Sequence, residues 1–196
     1  TALVNQCATV ILLDMSYSML RNGRFLAGRK VAMALDSLIR AKFPRDQLHV
    51  AAFSYFVLPL KPHMLLETTW IDPGGTDFPV ALHAARELLS SYKEGTKQII
   101  LITDGEPHAS VYGYGYGRYE DGWSMRAAME ETLREVGRCT KDGITVNTFM
   151  LDTTPVITTF IRALTKLNKG RIFFADPSQL GEYLIVDYVK NRRNRP

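Results

Sequence analysis

The apolar run at residues 9–13 stops at Asp14 and gives way to side chains that carry oxygen, Ser16 and Ser18, within the stretch ILLDMSYSM. An uninterrupted apolar run reads as a strand buried on both faces, as in parallel sheets covered by helices. That strand constrains the fold, because each of its faces needs a helical layer. Positions 14, 16 and 18 fall on one side of an extended turn at its carboxyl end. One carboxylate and two hydroxyls, with no His or Cys beside them, suit a hard cation such as Mg²⁺, which takes oxygen ligands and few carboxylates.

The rest of the chain supplies the layers. Strand patterns recur at residues 48–55, 57–60, 97–103, 145–151 and 171–174. The second and third strands are almost contiguous and predict a hairpin, which puts one antiparallel strand at a sheet edge. Helical patterns separate the others, so right-handed crossovers and a parallel sheet are expected. Val31, Ala34, Leu35, Leu38 and Ile39 share one helical face, as do Ala81, Ala85, Leu88, Leu89 and Tyr92. Met125, Met129, Leu133 and Val136 form a third stripe, and Ile157, Phe160, Ile161 and Leu164 a fourth. Pro79, Pro155 and Pro177 suit first helical turns, Asp176 a cap and Gly170 a helix stop. A last helix is expected over 177–190. The fold class is α/β: a doubly wound, mostly parallel, Rossmann-like sheet.

Two further segments carry oxygen ligands. The apolar run 99–102 ends in Thr103-Asp104-Gly105, which places a second carboxylate at the carboxyl end of a second central strand. The segment PGGTDFP at 73–79 reads as a glycine turn opening a helix, with Thr76 and Asp77 exposed. Open α/β sheets bind ligands where the winding direction reverses. If the strands ending at Asp14 and Asp104 are neighbours there, Asp14, Ser16, Ser18, Thr76 and Asp104 converge on one ion. Three of those five ligands are neutral hydroxyls, so the ion stays electron-poor and can accept a carboxylate from outside. The competing reading for each serine and for Thr76 is a helix cap.

This five-part pattern resembles the von Willebrand factor type A (VWA) domain and its metal-ion-dependent adhesion site (MIDAS). The match comprises D-x-S-x-S at Asp14, Ser16 and Ser18, then Thr76, then T-D-G at 103–105, and it covers essentially the whole chain. The resemblance implies a six-stranded sheet in the order 3-2-1-4-5-6. It implies a single VWA domain over residues 1–190, and the charged residues beyond it read as a flexible basic tail at 191–196. It also implies Mg²⁺ or Mn²⁺ held mainly by the serines and the threonine, with a partner's Glu or Asp completing the coordination. The expected function is metal-dependent protein–protein interaction without catalysis. Lack of a secretory pattern and of a disulfide framework looks like the intracellular branch of that family, so a cytoplasmic location is expected. Bacterial members of that branch often work beside MoxR-type AAA+ ATPases or chelatase-like assemblies.

Other readings are weaker. A metal-dependent phosphatase or hydrolase on a doubly wound sheet needs a nucleophile or base beside the metal. Asp14 has no second aspartate two residues on, and no phosphate-cradling P-loop is present. Net charge is +4 with a pI near 9.1, part of it in Lys190, Arg192, Arg193 and Arg195. That allows RNA binding, but no RNA-recognition module is visible. No apolar stretch is long enough to span a membrane. Cys7 and Cys139 show neither metal spacing nor a disulfide framework. The Gly- and Tyr-rich stretch 111–123 reads as a long loop after the fourth strand. Its Tyr112, Tyr114, Tyr116 and Tyr119 are candidate partner contacts. Glu106 and His108 are read as plain loop residues.

Overall fold

The computed structural model describes residues 6–61, 63–67, 75–105, 123–152, 154–176 and 178–193. Six strands form one sheet: β1 (Cys7–Asp14), β2 (Gln47–Phe53), β3 (Val57–Leu60), β4 (Thr96–Thr103), β5 (Ile144–Met150) and β6 (Ile172–Phe174). Their order is β3-β2-β1-β4-β5-β6, as the resemblance implied. Every pair is parallel except the β2–β3 hairpin, where Val50 stands opposite Leu60 and Phe53 opposite Val57.

Every residue of β1 is buried, which explains its unbroken apolar run. Alternation sorts its side chains between two layers. Val10 and Leu12 face the helices α3 (Phe78–Ser90), α4 (Trp123–Lys141) and α5 (Pro155–Asn168), through Leu82, Val136 and Ile161 among others. Ile11 and Leu13 face α1 (Arg24–Lys42) and α6 (Leu180–Arg193), through Leu35 and Leu184. The crossover after β1 therefore lies on one side of the sheet, and the crossover into β4 on the other. The β1/β4 seam is the point where the winding reverses.

Two smaller elements complete the order. A 3₁₀ stretch, Tyr17–Gly23, links β1 to α1, and a single helical turn, α2 (Met64–Glu67), follows β3. Neither is announced by a periodic pattern.

Several local expectations need correction. Asp77, not Thr76, caps α3, accepting a hydrogen bond from the Val80 amide at 3.0 Å. Thr76 and Asp77 are both buried rather than exposed, because the loop carrying them is tied to the end of β2 by Asp77 N–H donating to the Ser54 carbonyl at 3.0 Å. Lys169 rather than Gly170 takes the left-handed position that ends α5, at φ 56°. Gly170 is needed for a different reason: a Cβ there would overlap the carbonyl oxygen of Val146. Leu88 and Ala34 point to solvent despite falling in apolar stripes. The last helix begins at Leu180, after a turn in which Asp176 Oδ1 accepts from the Ser178 amide and hydroxyl at 2.8 and 2.6 Å. Pro177 lies outside the described residues.

Candidate functional site

The sheet register brings the two aspartates together. Asp14 stands beside Phe53 of β2, and Leu13 beside Ile102 of β4, so Thr103 and Asp104 follow directly across the seam. Asp14 is fully buried and Asp104 nearly so. Asp14 uses both oxygens. Oδ1 accepts from the Ser16 amide at 2.8 Å, and Oδ2 accepts from the Thr103 hydroxyl at 2.5 Å. Thr103 is itself held by the Gly105 amide, which donates to its Oγ1 at 2.9 Å. Gly105 sits at φ +93°, and a Cβ there would run into Met150 and Ile157, so the chain turns sharply against the core immediately after Asp104.

The serines do not act as caps. Ser16 occupies the N-cap position of the 3₁₀ stretch without making a side-chain cap bond. Its hydroxyl instead lies 3.1 Å from the Ser18 hydroxyl, so the two oxygens point into one space. Thr76 is relieved of capping by Asp77 and is 1% exposed. It is positioned from the β2 side, through the Asp77–Ser54 backbone bond. Asp14, Ser16, Ser18 and Asp104 thus lie at or just beyond the carboxyl ends of β1 and β4, and Thr76 lies in the loop tied to the end of β2.

The electrostatics of the site are costly as they stand. Burial pushes the Asp14 carboxyl up to about 7, and the charge of Asp104 adds to this while the Thr103 hydroxyl bond pulls it back. Asp104 Oδ1 is buried with no hydrogen-bond partner, and so is Ser54 Oγ at the end of β2. A buried carboxylate oxygen left unbonded costs more than most other buried polar groups. A divalent cation with its waters would satisfy it, and the all-oxygen donor set suits Mg²⁺ or Mn²⁺. Among the described residues no cluster of three or more His, Cys, Asp or Glu could hold a metal instead.

A residue that the sequence reading missed contacts this site, and a second holds that residue in place. Arg24, the first residue of α1, donates through one terminal nitrogen to Asp104 Oδ2 at 3.1 Å. Its other terminal nitrogen donates to Asp152 Oδ2 at 2.6 Å. Asp152 follows β5, as Asp104 follows β4. A signal was present in the sequence: a cation in the first turn of a helix opposes the helix dipole and needs a reason to be there. Tyr17, between the two serines in sequence, is 59% exposed. Glu106, His108, Tyr112, Tyr114, Tyr116 and Tyr119 lie outside the described residues.

Residues 7–189 match the family described as Rv0959-like protein, vWA domain. The chain belongs to that vWA-domain family. This vWA domain is 27% identical over 191 residues to the uncharacterized protein Rv0959 of Mycobacterium tuberculosis (strain ATCC 25618 / H37Rv). The match takes in 96% of this chain but 28% of that protein, so the domain spans little more than a quarter of its relative's length. Among solved structures it resembles the PilB minor pilin from Streptococcus sanguinis, with TM-score 0.75, 12% identity, 97% of this chain and 62% of that one. It also resembles the SpRpn10 VWA domain, with TM-score 0.62, 15% identity, 92% of this chain and 94% of that one. At such identities these two likenesses establish the fold alone. No helix among the described residues is long and apolar enough to cross a membrane.

Proposed function

We propose that this vWA domain is a metal-dependent protein-interaction module. Asp14, Ser16, Ser18, Thr76 and Asp104 hold Mg²⁺ or Mn²⁺ as a metal-ion-dependent adhesion site, and the ion grips a Glu or Asp of a partner protein. The observation that carries this reading is the buried Asp104 Oδ1, which has no bonding partner. It stands across the seam from an Asp14 whose own charge is penalised by burial and by Asp104. Two carboxylates are poorly tolerated so close together unless a cation joins them.

The chemistry favours binding over turnover. Three of the five ligands are neutral hydroxyls, so the ion stays electron-poor, and an external carboxylate is a group well suited to it. Placement of the site at the carboxyl ends of the central strands, next to the loop that carries the exposed Tyr17, supports contact with a macromolecular surface. Membership of a vWA-domain family supports an interaction module. An AAA+ ATPase-associated assembly in the cytoplasm is the setting we propose for it, on the resemblance described above.

The test is calorimetric titration of Mg²⁺ and Mn²⁺ into metal-free protein, followed by partner capture with and without chelator. Binding lost in both Asp14→Ala and the double variant Ser16→Ala, Ser18→Ala, with chelator-sensitive capture of an acidic partner, is the expected result. Turnover of a generic phosphoester that depends on the same residues would overturn the reading.

A further inference from the structure

The pairing of Arg24 with Asp104 has no place in the five-ligand pattern. Its guanidinium is a cation already seated on a carboxylate proposed to bind metal. Its side chain is 11% exposed and that of Asp104 3%, so the pair is largely shielded from water. Asp152, at 51% exposed, holds the other edge of the same guanidinium, at the shorter distance of 2.6 Å. Arg24 also begins the helix that directly follows the loop bearing Ser16 and Ser18. One side chain therefore ties that loop to the ends of β4 and β5.

The division of labour on Asp104 is uneven. Oδ2 receives the guanidinium, whereas Oδ1 receives nothing. A divalent ion approaching from Oδ1 meets a carboxylate whose charge is partly offset by Arg24. The ion must then compete with a cation that costs nothing to recruit. If the guanidinium yields Asp104, it still has Asp152, so the exchange leaves no arginine unpaired.

We propose that Arg24 is a resident counter-cation that balances Asp104 when no metal is bound and lowers the site's affinity for divalent ions, with Asp152 as its anchor. Arg24 is a positioning residue: it acts on the ion only through Asp104. The inference rests on the metal-site reading given above. It explains why a first-turn arginine is placed against the helix dipole, and why Asp104 can stay buried beside Asp14 in the folded chain.

The experiment measures Mg²⁺ and Mn²⁺ affinity by calorimetry, and Tm in chelator and in saturating Mg²⁺. It compares the parent, Arg24→Gln, Arg24→Lys, Asp152→Asn and the double variant Arg24→Gln, Asp152→Asn. Removing one positive charge in contact with a ligand carboxylate is expected to tighten divalent binding about tenfold or more. Arg24→Gln is also expected to lower Tm in chelator, with the loss recovered in Mg²⁺. Arg24→Lys keeps the charge but cannot fork between two carboxylates, so its gain is smaller. Asp152→Asn commits Arg24 to Asp104 and weakens metal binding, and that effect disappears in the double variant. A folded Arg24→Gln protein with unchanged or weaker affinity, beside a parent that binds metal, overturns this inference alone. No binding in any of the proteins overturns the metal-site reading and this inference with it. Binding in Arg24→Gln but not in the parent supports both.

Discussion

The Thr103 hydroxyl donates to Asp14 Oδ2 at 2.5 Å across the β1/β4 seam, joining the D-x-S-x-S loop to the T-D-G turn. The bond fixes the Asp14 carboxylate, and the Gly105 amide fixes the threonine in turn. Replacing Asp14 by Asn keeps the shape but removes a charge that burial disfavours. Asp14→Asn is expected to abolish divalent binding while raising stability in chelator by about 1 kcal/mol or more. Urea denaturation in chelator checks this, and a less stable variant would show that the ionised carboxylate holds the metal-free fold together.

The same residue sets a pH dependence. Its carboxyl lies at about 7 in the folded chain against an ordinary 3.8. The folded state therefore holds a proton that the unfolded chain gives up at lower pH. That contribution is fully present below about pH 4 and is lost as pH rises through about 7. In chelator, Tm of the parent is expected to fall relative to Asp14→Asn between those limits. Mg²⁺ needs the carboxylate, so its affinity is expected to rise over the same window and then level off. A pH-independent Tm difference between the two proteins would contradict the assignment.

Gly170 and Lys169 should respond in opposite ways. A Cβ at Gly170 would overlap the Val146 carbonyl, and backbone cannot move aside as a side chain can. Gly170→Ala is expected to cost about 2 kcal/mol or more, or to prevent folding. Lys169 carries the positive φ of 56° that ends α5. Lys169→Gly relieves that strain and is expected to stabilise by up to about 1 kcal/mol. Thermal melts of the two variants check both signs.

Glu135 is a buried carboxylate on α4 that joins two helices. Its side chain is 2% exposed and accepts from Arg86 of α3 at 2.7 Å and from Arg138 at 2.5 Å. Arg86 also reaches Asp142, so removing Glu135 does not strip it of partners. Glu135→Ala is expected to destabilise by about 1–3 kcal/mol in urea denaturation, with metal affinity unchanged. A loss under about 0.5 kcal/mol would show that the network is ornamental.

Apolar pattern and helix period sufficed for the strands, their parallel pairing and the hairpin, because each rests on burial that a single sequence displays. Asp14 and Asp104 were legible as neighbours because both follow buried strands at a seam where the winding reverses. What failed was local and depended on tertiary partners. Thr76 and Asp77 looked exposed, since nothing in PGGTDFP announces the bond from Asp77 to Ser54 that buries them. Leu88 fits the α3 stripe by period yet faces water. Arg24 and Asp152 are 128 positions apart, and only the fold brings them together.

At the amino ends of β1 and β2, Asp46 accepts from the Cys7 amide at 3.0 Å and from the Tyr188 hydroxyl at 2.9 Å. The first strand and the last helix are thereby pinned at one point, far along β1 from Asp14. If a partner pulls on the Asp14 end while the rest of the protein holds the Cys7 end, the load runs lengthwise through β1. That strand is flanked on both sides by parallel ladders, to β2 and to β4. Both ladders then bear the force in shear, many bonds at once, rather than unzipping one by one. The strand that presents the candidate site is also a tether anchored along both of its sides.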